Sequence, residues 1–291
     1  MELLYYPGCT LKTSAVSLEE SAFAVAEALG HKMIEMEEWN CCGVSASLTE
    51  DDLMHHLAPL RNLIHAEDQG MDRIVALCDM CSNTLKQTDY RVRERDDDLK
   101  TLNDFMDQEN DYNKTVSVQH FLEFLRDDVG WKALKKKVVN PLKGVRIMPY
   151  YGCMLLRPRE VAIDDAEEPR IMADLIKALG AEVVDNPFKI ECCGSYKTIE
   201  EKEMTSRRAK TISTYAVERN ADMIMLSCPL CKYNLDTRGK EAELLFDGYS
   251  QIPVMYYTQL LAIALGLEGD WGFGSHAVDP TPLLREKGVI P

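Results

Sequence analysis

No apolar run in this 291-residue chain approaches the ~20 residues needed to span a bilayer. The N-terminus, Met1-Glu2-Leu3-Leu4-Tyr5-Tyr6, lacks the basic start and apolar core of a secretory signal and reads as a first strand. A reducing, cytoplasmic setting is therefore expected, where cysteine patterns point to metal or catalysis before structural disulfides. Positive charge is scarce. Against 48 Asp and Glu stand 33 Lys and Arg, and the net charge of −15 argues against nucleic acid, whose phosphates demand basic surface. Histidine is missing from every cysteine motif, which sets aside His-containing zinc sites and Rieske-type centres. His31, His55, His56, His65 and His276 read as surface or satisfied residues, and His120 as a candidate crevice residue.

What is present is a repeated thiol pattern. Cys9, then Cys41-Cys42-Gly43, then Cys78-Asp79-Met80-Cys81 recurs as Cys153, Cys192-Cys193-Gly194 and Cys228-Pro229-Leu230-Cys231. The two pentads use all ten cysteines. Gly43 and Gly194 permit positive φ, or close approach of the backbone to a bulky group.

Strand-like and helical segments alternate in both halves. Leu3–Tyr6, Lys32–Met36, Arg73–Leu77 and 116–118 read as strands; helices are expected over 14–29, 51–66, after the Cys78–Cys81 pair, and over 120–125. The second half repeats the order with strands at 145–150, 182–184, 223–226 and 254–256. Its helices are expected over 169–179, 199–217 and 258–265, and Gly30 and Gly180 are the stops of matching helices. The acid-rich run from Asp96 to Asp111 reads as an exposed helical excursion, and the tail after Gly266 as irregular chain wrapping the second domain. The expected fold is α/β: two duplicated cysteine-rich domains, 1–140 and 141–291, each a small, mostly parallel sheet flanked by helices. Every cysteine position follows a strand. Ligands bind at the carboxyl edge of a parallel sheet, so five thiols should converge on one site per domain.

Five is one more than tetrahedral zinc or an ordinary iron–sulfur cluster requires. The fifth thiol could be structural, a reactive neighbour of a four-ligand centre, or a ligand to a larger or more open cluster. Adjacent cysteines diverge on a strand, so a doublet bridges two metals more readily than it chelates one.

The pattern Cys-x(31–38)-Cys-Cys-Gly-x(33–34)-Cys-x-x-Cys, present twice, resembles the cysteine-rich CCG domain family. Pro149-Tyr150-Tyr151-Gly152-Cys153, Arg157-Pro158 and the late Asp279-Pro280, Pro282-Leu283-Leu284 make the chain similar to the B-subunit family of methanogen heterodisulfide reductases. The resemblance implies two noncubane [4Fe–4S] clusters facing each other across the domain boundary. Cys9, Cys41, Cys42, Cys78 and Cys81 would ligate one, and Cys153, Cys192, Cys193, Cys228 and Cys231 the other. It implies reduction of the mixed disulfide of coenzyme M and coenzyme B to two thiols, with the S–S bond lying between the clusters. The implied partners are the iron–sulfur C-subunit and the flavin-bearing A-subunit of such a reductase, with an associated hydrogenase or formate dehydrogenase. No Cys-x-x-Cys-x-x-Cys-x-x-x-Cys-Pro run is present, so an ordinary cubane cluster would belong to another polypeptide of the complex. Lys197, Lys232 and Arg157 are candidate anchors for the anionic groups of such a substrate. The competing readings are a related electron-transfer protein acting on a hydroxy acid or in a quinone-linked pathway, and a non-catalytic zinc-stabilised scaffold.

Overall fold

The structure, a computed structural model, describes residues 1–44 and 52–291. Along the first half run β1 (Glu2–Tyr6), α1 (Gly8–Leu11), α2 (Val16–Ala28), β2 (Lys32–Glu35), α3 (Leu57–Asp68), β3 (Arg73–Ala76), α4 (Asp79–Glu94), α5 (Asp96–Phe105), β4 (Ser117–His120), α6 (Phe121–Phe124) and α7 (Trp131–Lys137). The second half holds β5 (Arg146–Pro149), α8 (Ile171–Ala178), β6 (Glu182–Val183), α9 (Lys202–Glu218), β7 (Met223–Leu226), α10 (Pro229–Lys232), α11 (Gly239–Leu245), β8 (Val254–Tyr256), α12 (Tyr257–Ala264) and α13 (Thr281–Glu286).

The strands form two four-stranded sheets, ordered β2-β1-β3-β4 and β6-β5-β7-β8, with every pairing parallel. The registers correspond. Tyr5 lies opposite Val75 and Ala76 opposite His120; Met148 lies opposite Ile224 and Leu226 opposite Tyr256. The central strands are apolar without alternation because helices cover both faces. Leu3 to Tyr6 and Met223 to Leu226 are all buried, and each such side chain contributes about 1.5–3 kcal/mol.

The glycine stops occur as expected. At the end of α2, Gly30 (φ 87°) donates to the carbonyl of Glu27 and His31 to that of Ala26, and Gly180 and Ala181 repeat the pair of bonds after α8. Other expectations need correction. The helix does not follow the Cys78–Cys81 pair but starts at Asp79, so Cys78 is its N-cap and Cys81 lies in its first turn. It breaks at Arg95, whose backbone is extended, and α5 starts afresh. The acidic excursion is helical only to Phe105, and it buries Leu102, Met106 and Tyr112 against the domain. The expected start of the third helix at Asp51 lies outside the described residues; α3 follows a single 3₁₀ turn over Met54–His56. The tail contains α13, and it is tied back to the chain entering β5 by Asn140 to the Val289 carbonyl and Lys287 to the Gly144 carbonyl.

The two halves pack through α2 against α12, where the hydroxyl of Ser21 bonds that of Thr258 at 2.7 Å. Among the described residues no helix is long and apolar enough to cross a membrane.

Candidate metal centre

All three cysteine positions of each half lie beyond the carboxyl ends of its strands. Cys9 sits in α1, directly after β1; Cys41 and Cys42 follow β2; Cys78 and Cys81 open the helix after β3. The second half repeats this after β5, β6 and β7. All ten thiols are free. Cys9 Sγ lies 3.9 Å from Cys41 Sγ, and Cys193 Sγ 3.4 Å from Cys231 Sγ. These spacings bracket the roughly 3.8 Å between two thiolates about 2.3 Å from one tetrahedral metal. No three Cys, His, Asp or Glu side chains among the described residues close around one single-ion position. The sulfurs follow one another along each sheet edge instead.

The doublets lie in loops and not on strands. Cys41 and Cys192 are exposed, while Cys42 and Cys193 are buried, so each doublet presents one sulfur inward and one outward. Gly43 and Gly194, at φ 75° and 84°, make this turn possible. Gly194 also donates its N–H to Cys192 Sγ at 3.3 Å.

Two further glycines shape the site. Gly8 and Gly152, each directly before the first cysteine of a set, have φ 67° and 66°. A Cβ there would stand 2.9 Å from Cys81 Sγ and 3.3 Å from Cys231 Sγ. The last sulfur of each set thus lies against a bare backbone. The signal was available in the sequence, as a glycine at the same offset in both repeats.

In each set some thiols are held low while their sulfur partners are held high: Cys41, Cys81, Cys153, Cys193, Cys228 and Cys231 are all raised. Cys42 is pulled down to about 4 by hydrogen bonds from Cys41 and then Cys81, and Cys192 to about 2 by those from Cys153 and then Cys193. Cys78 is held well below the ordinary thiol range, first by a hydrogen bond from Cys228 and then by Cys81 and the backbone N–H groups at the start of α4. Cys228 belongs to the other domain. The two sulfur sets therefore meet at Cys78 and Cys228, both buried. Five soft donors per set, free, partly ionised and gathered at one edge, fit a thiolate-ligated polynuclear centre.

Beside this contact lies a buried polar group. Asp79 is raised by burial, and the nearby His120 ring, 3.3 Å away, acts the other way. His120 accepts the Leu122 N–H at Nδ1 and donates from Nε2 to the Leu77 carbonyl at 3.0 Å, with Asp79 Oδ1 at 3.3 Å. It therefore caps α6 and braces the chain entering Cys78.

The expected anchors have local partners. Lys197 is exposed and pairs with Glu200 at 3.0 Å. Lys232 pairs with buried Asp236 at 3.0 Å, and Arg157 with Glu167 at 3.3 Å and the Ile190 carbonyl at 3.1 Å. A cavity of about 50 Å³ at the domain boundary adjoins Gly43 and Met154, the neighbours of Cys42 and Cys153. A larger one, about 620 Å³, lies under the tail beside Trp271 and Arg285 and touches no cysteine.

Such a site defines a duplicated, cysteine-rich protein with a candidate metal centre in each half. The profile of the cysteine-rich domain, CCG, matches residues 3–86 and 147–236, and the chain belongs to that family. It is 30% identical over 285 residues, 97% of this chain and 99% of the relative, to the 8-methylmenaquinol:fumarate reductase membrane anchor subunit of Wolinella succinogenes. It is 28% identical over 277 residues, 92% of this chain and 91% of the relative, to the B-subunit of a ferredoxin/F(420)H(2)-dependent CoB-CoM heterodisulfide reductase of Methanosarcina acetivorans. Its fold matches a hypothetical protein from Helicobacter pylori with a TM-score of 0.77 at 11% identity, over 95% of this chain and 51% of that one.

Proposed function

We propose that the chain is the iron–sulfur component of a multi-subunit reductase, with one noncubane [4Fe–4S] cluster per domain. Cys9, Cys41, Cys42, Cys78 and Cys81 would hold the first, and Cys153, Cys192, Cys193, Cys228 and Cys231 the second. When bound, such clusters supply one-electron chemistry at two facing points. The chain's own residues gather ten cysteines in two sets, exclude water from the contact between them, and keep Asp79 and His120 beside it. The observation that carries this reading is the meeting of the sets at Cys78 and Cys228, one thiol from each domain. Two facing centres suit a substrate that takes two electrons across one bond. A disulfide is such a substrate, and the B-subunit likeness supports the coenzyme M–coenzyme B heterodisulfide; electrons would come from an iron–sulfur C-subunit and a flavin-bearing A-subunit. Among the anchors, Lys197 is the freest to contact an anionic substrate, because its partner is an exposed glutamate, whereas Arg157 is also held by the Ile190 carbonyl and Lys232 by buried Asp236.

A second reading keeps the clusters and changes the substrate. The Wolinella relative aligns over nearly its whole length and is named for a quinol:fumarate reductase, which favours a quinone-linked pathway. One preparation tests both. Anaerobic purification should yield about eight irons per chain with acid-labile sulfide, whereas two zincs would overturn the reading in favour of a scaffold. Disulfide reduction and menaquinol oxidation, assayed on the same sample with its co-purifying proteins identified, separate the two substrates. Full iron content and activity in Cys42→Ser or Cys193→Ser would sink the ligand assignment.

A further inference from the structure

The two repeats share a second matched pair that the cysteine count does not reveal. Tyr6 stands three residues before Cys9, and Tyr150 three residues before Cys153. Both rings are buried, at 0% and 1% exposure. The Tyr6 hydroxyl donates to the carbonyl of Asn40 at 2.7 Å, and the Tyr150 hydroxyl to the carbonyl of Glu191 at 2.6 Å. Each acceptor is the residue directly before a doublet. The same rings lie under the bare backbone before the first cysteine, where a Cβ at Gly8 or Gly152 would be 3.3 or 3.4 Å from the ring.

A buried tyrosine normally finds some carbonyl for its hydroxyl, so one such bond would mean little. Two copies at one register mean more, because the loops they reach are unlike. Five residues separate β2 from Cys41, while eight separate the two-residue β6 from Cys192. Other ties differ as well. Asn62 accepts the Asn40 N–H and donates to the same Asn40 carbonyl that Tyr6 reaches, at 3.1 Å, whereas the second loop is held by Arg208 on the Cys192 carbonyl. The phenol bond is common to both. Burial first, and then the neighbouring thiols of each set, push both phenols up, so the hydroxyls remain donors at any working pH.

We infer that Tyr6 and Tyr150 are positioning residues, each fixing through its hydroxyl the carbonyl before a doublet and thereby setting where that doublet meets the other three cysteines of its set. This rests on the reading of the two sets as cluster ligands.

The test uses Tyr6→Phe and Tyr150→Phe in the full chain, purified anaerobically. The readout is iron release to a chelator, followed by absorbance, with thermal melts alongside. Tyr151→Phe is the control: that hydroxyl is bonded instead by the Ala173 N–H at 3.1 Å, away from the doublet. Each of the first two variants should release about half its iron roughly tenfold faster than wild type, as expected for loss of one buried hydrogen bond. Tyr151→Phe should release iron at the wild-type rate even if its melt shifts. Unchanged release in either of Tyr6→Phe and Tyr150→Phe that melts as a folded protein, or equal acceleration in Tyr151→Phe, overturns the inference. A wild-type protein that carries no iron overturns the cluster reading instead. The two variants report on separate domains, so poor folding of one leaves the other decisive.

Discussion

Asn83, two residues past Cys81 on α4, donates one amide hydrogen to the carbonyl of Met154, the residue after Cys153, at 2.7 Å. Its second donor contact reaches the Arg157 carbonyl at 2.8 Å, and its own oxygen accepts from Gln87 at 2.5 Å. One buried side chain therefore joins the helix carrying two cysteines of the first set to the loop carrying the first cysteine of the second. Asn83→Ala leaves two carbonyls without a donor and should cost about 2–4 kcal/mol in denaturant unfolding. Asn83→Asp points a carboxylate at those carbonyls and should cost more. Iron should be lost from the second set although the substitution is in the first domain. Wild-type stability in Asn83→Asp would show that the clamp contributes nothing.

The bare backbone beneath the sulfurs gives a graded series. Gly8→Ala puts a Cβ 2.9 Å from Cys81 Sγ at φ 67°, so either the thiol or the strand must shift. Gly152→Ala makes the same change at 3.3 Å, where a small displacement suffices. Gly70→Ala has φ 70° and nothing within 4 Å, so it measures the backbone strain alone, about 1 kcal/mol. Iron content after anaerobic purification should fall most in Gly8→Ala, less in Gly152→Ala, and not at all in Gly70→Ala. Equal iron in all three would mean the glycines are ordinary turns.

How far the sequence could be read follows from the range over which each signal acts. The strand runs Leu3–Tyr6 and Met223–Leu226 and the stops at Gly30 and Gly180 are local, and they were legible. The placement of the cysteines after the strand ends was legible too, because parallel strand order alone brings those ends to one edge. The start of α4 was misplaced because Asp79 and Met80 read as spacer between two cysteines, when in fact they are the first turn of the helix. The acidic excursion was read as solvated because its charges outnumber Leu102, Met106 and Tyr112, the three side chains that dock it. The contact of Cys78 with Cys228 and the reach of Asn83 to Met154 depend on how α2 meets α12. No periodicity within either half encodes that packing.

Two of the anchor residues separate by their surroundings. Lys232 faces Asp236, whose side chain is only 1% exposed and also accepts the Ala277 and Val278 N–H groups. Lys232→Met leaves that carboxylate buried without its cation and should destabilise the fold by about 3 kcal/mol. Lys197→Glu breaks only an exposed pair and should leave the melt unchanged. If Lys197 contacts an anionic substrate, the apparent KM rises several-fold with kcat and melt unchanged. An unchanged KM removes it as an anchor.

The acid limb of stability should report on His56. Its ring is buried and bonds Thr88 Oγ1 through Nδ1 at 2.7 Å. Burial first, and then the charges of His55 and Arg91, lower its pKa to about 4, while Asp52 and Asp98 act weakly the other way. In the unfolded chain the ring titrates near 6.5. Between these values the unfolded state binds a proton that the folded state refuses, so stability is full above about pH 6.5 and falls as the pH drops towards 4. The slope from this one group is at most about 1.4 kcal/mol per pH unit. His56→Gln keeps a polar partner for Thr88 and removes the titration. The proposed metal–thiolate bonds would also be acid-labile, so the measurement is the difference between variant and wild type in urea midpoints from pH 7.5 to 5. The variant should lose less stability over that range, and parallel curves would show that His56 is not held neutral by the fold.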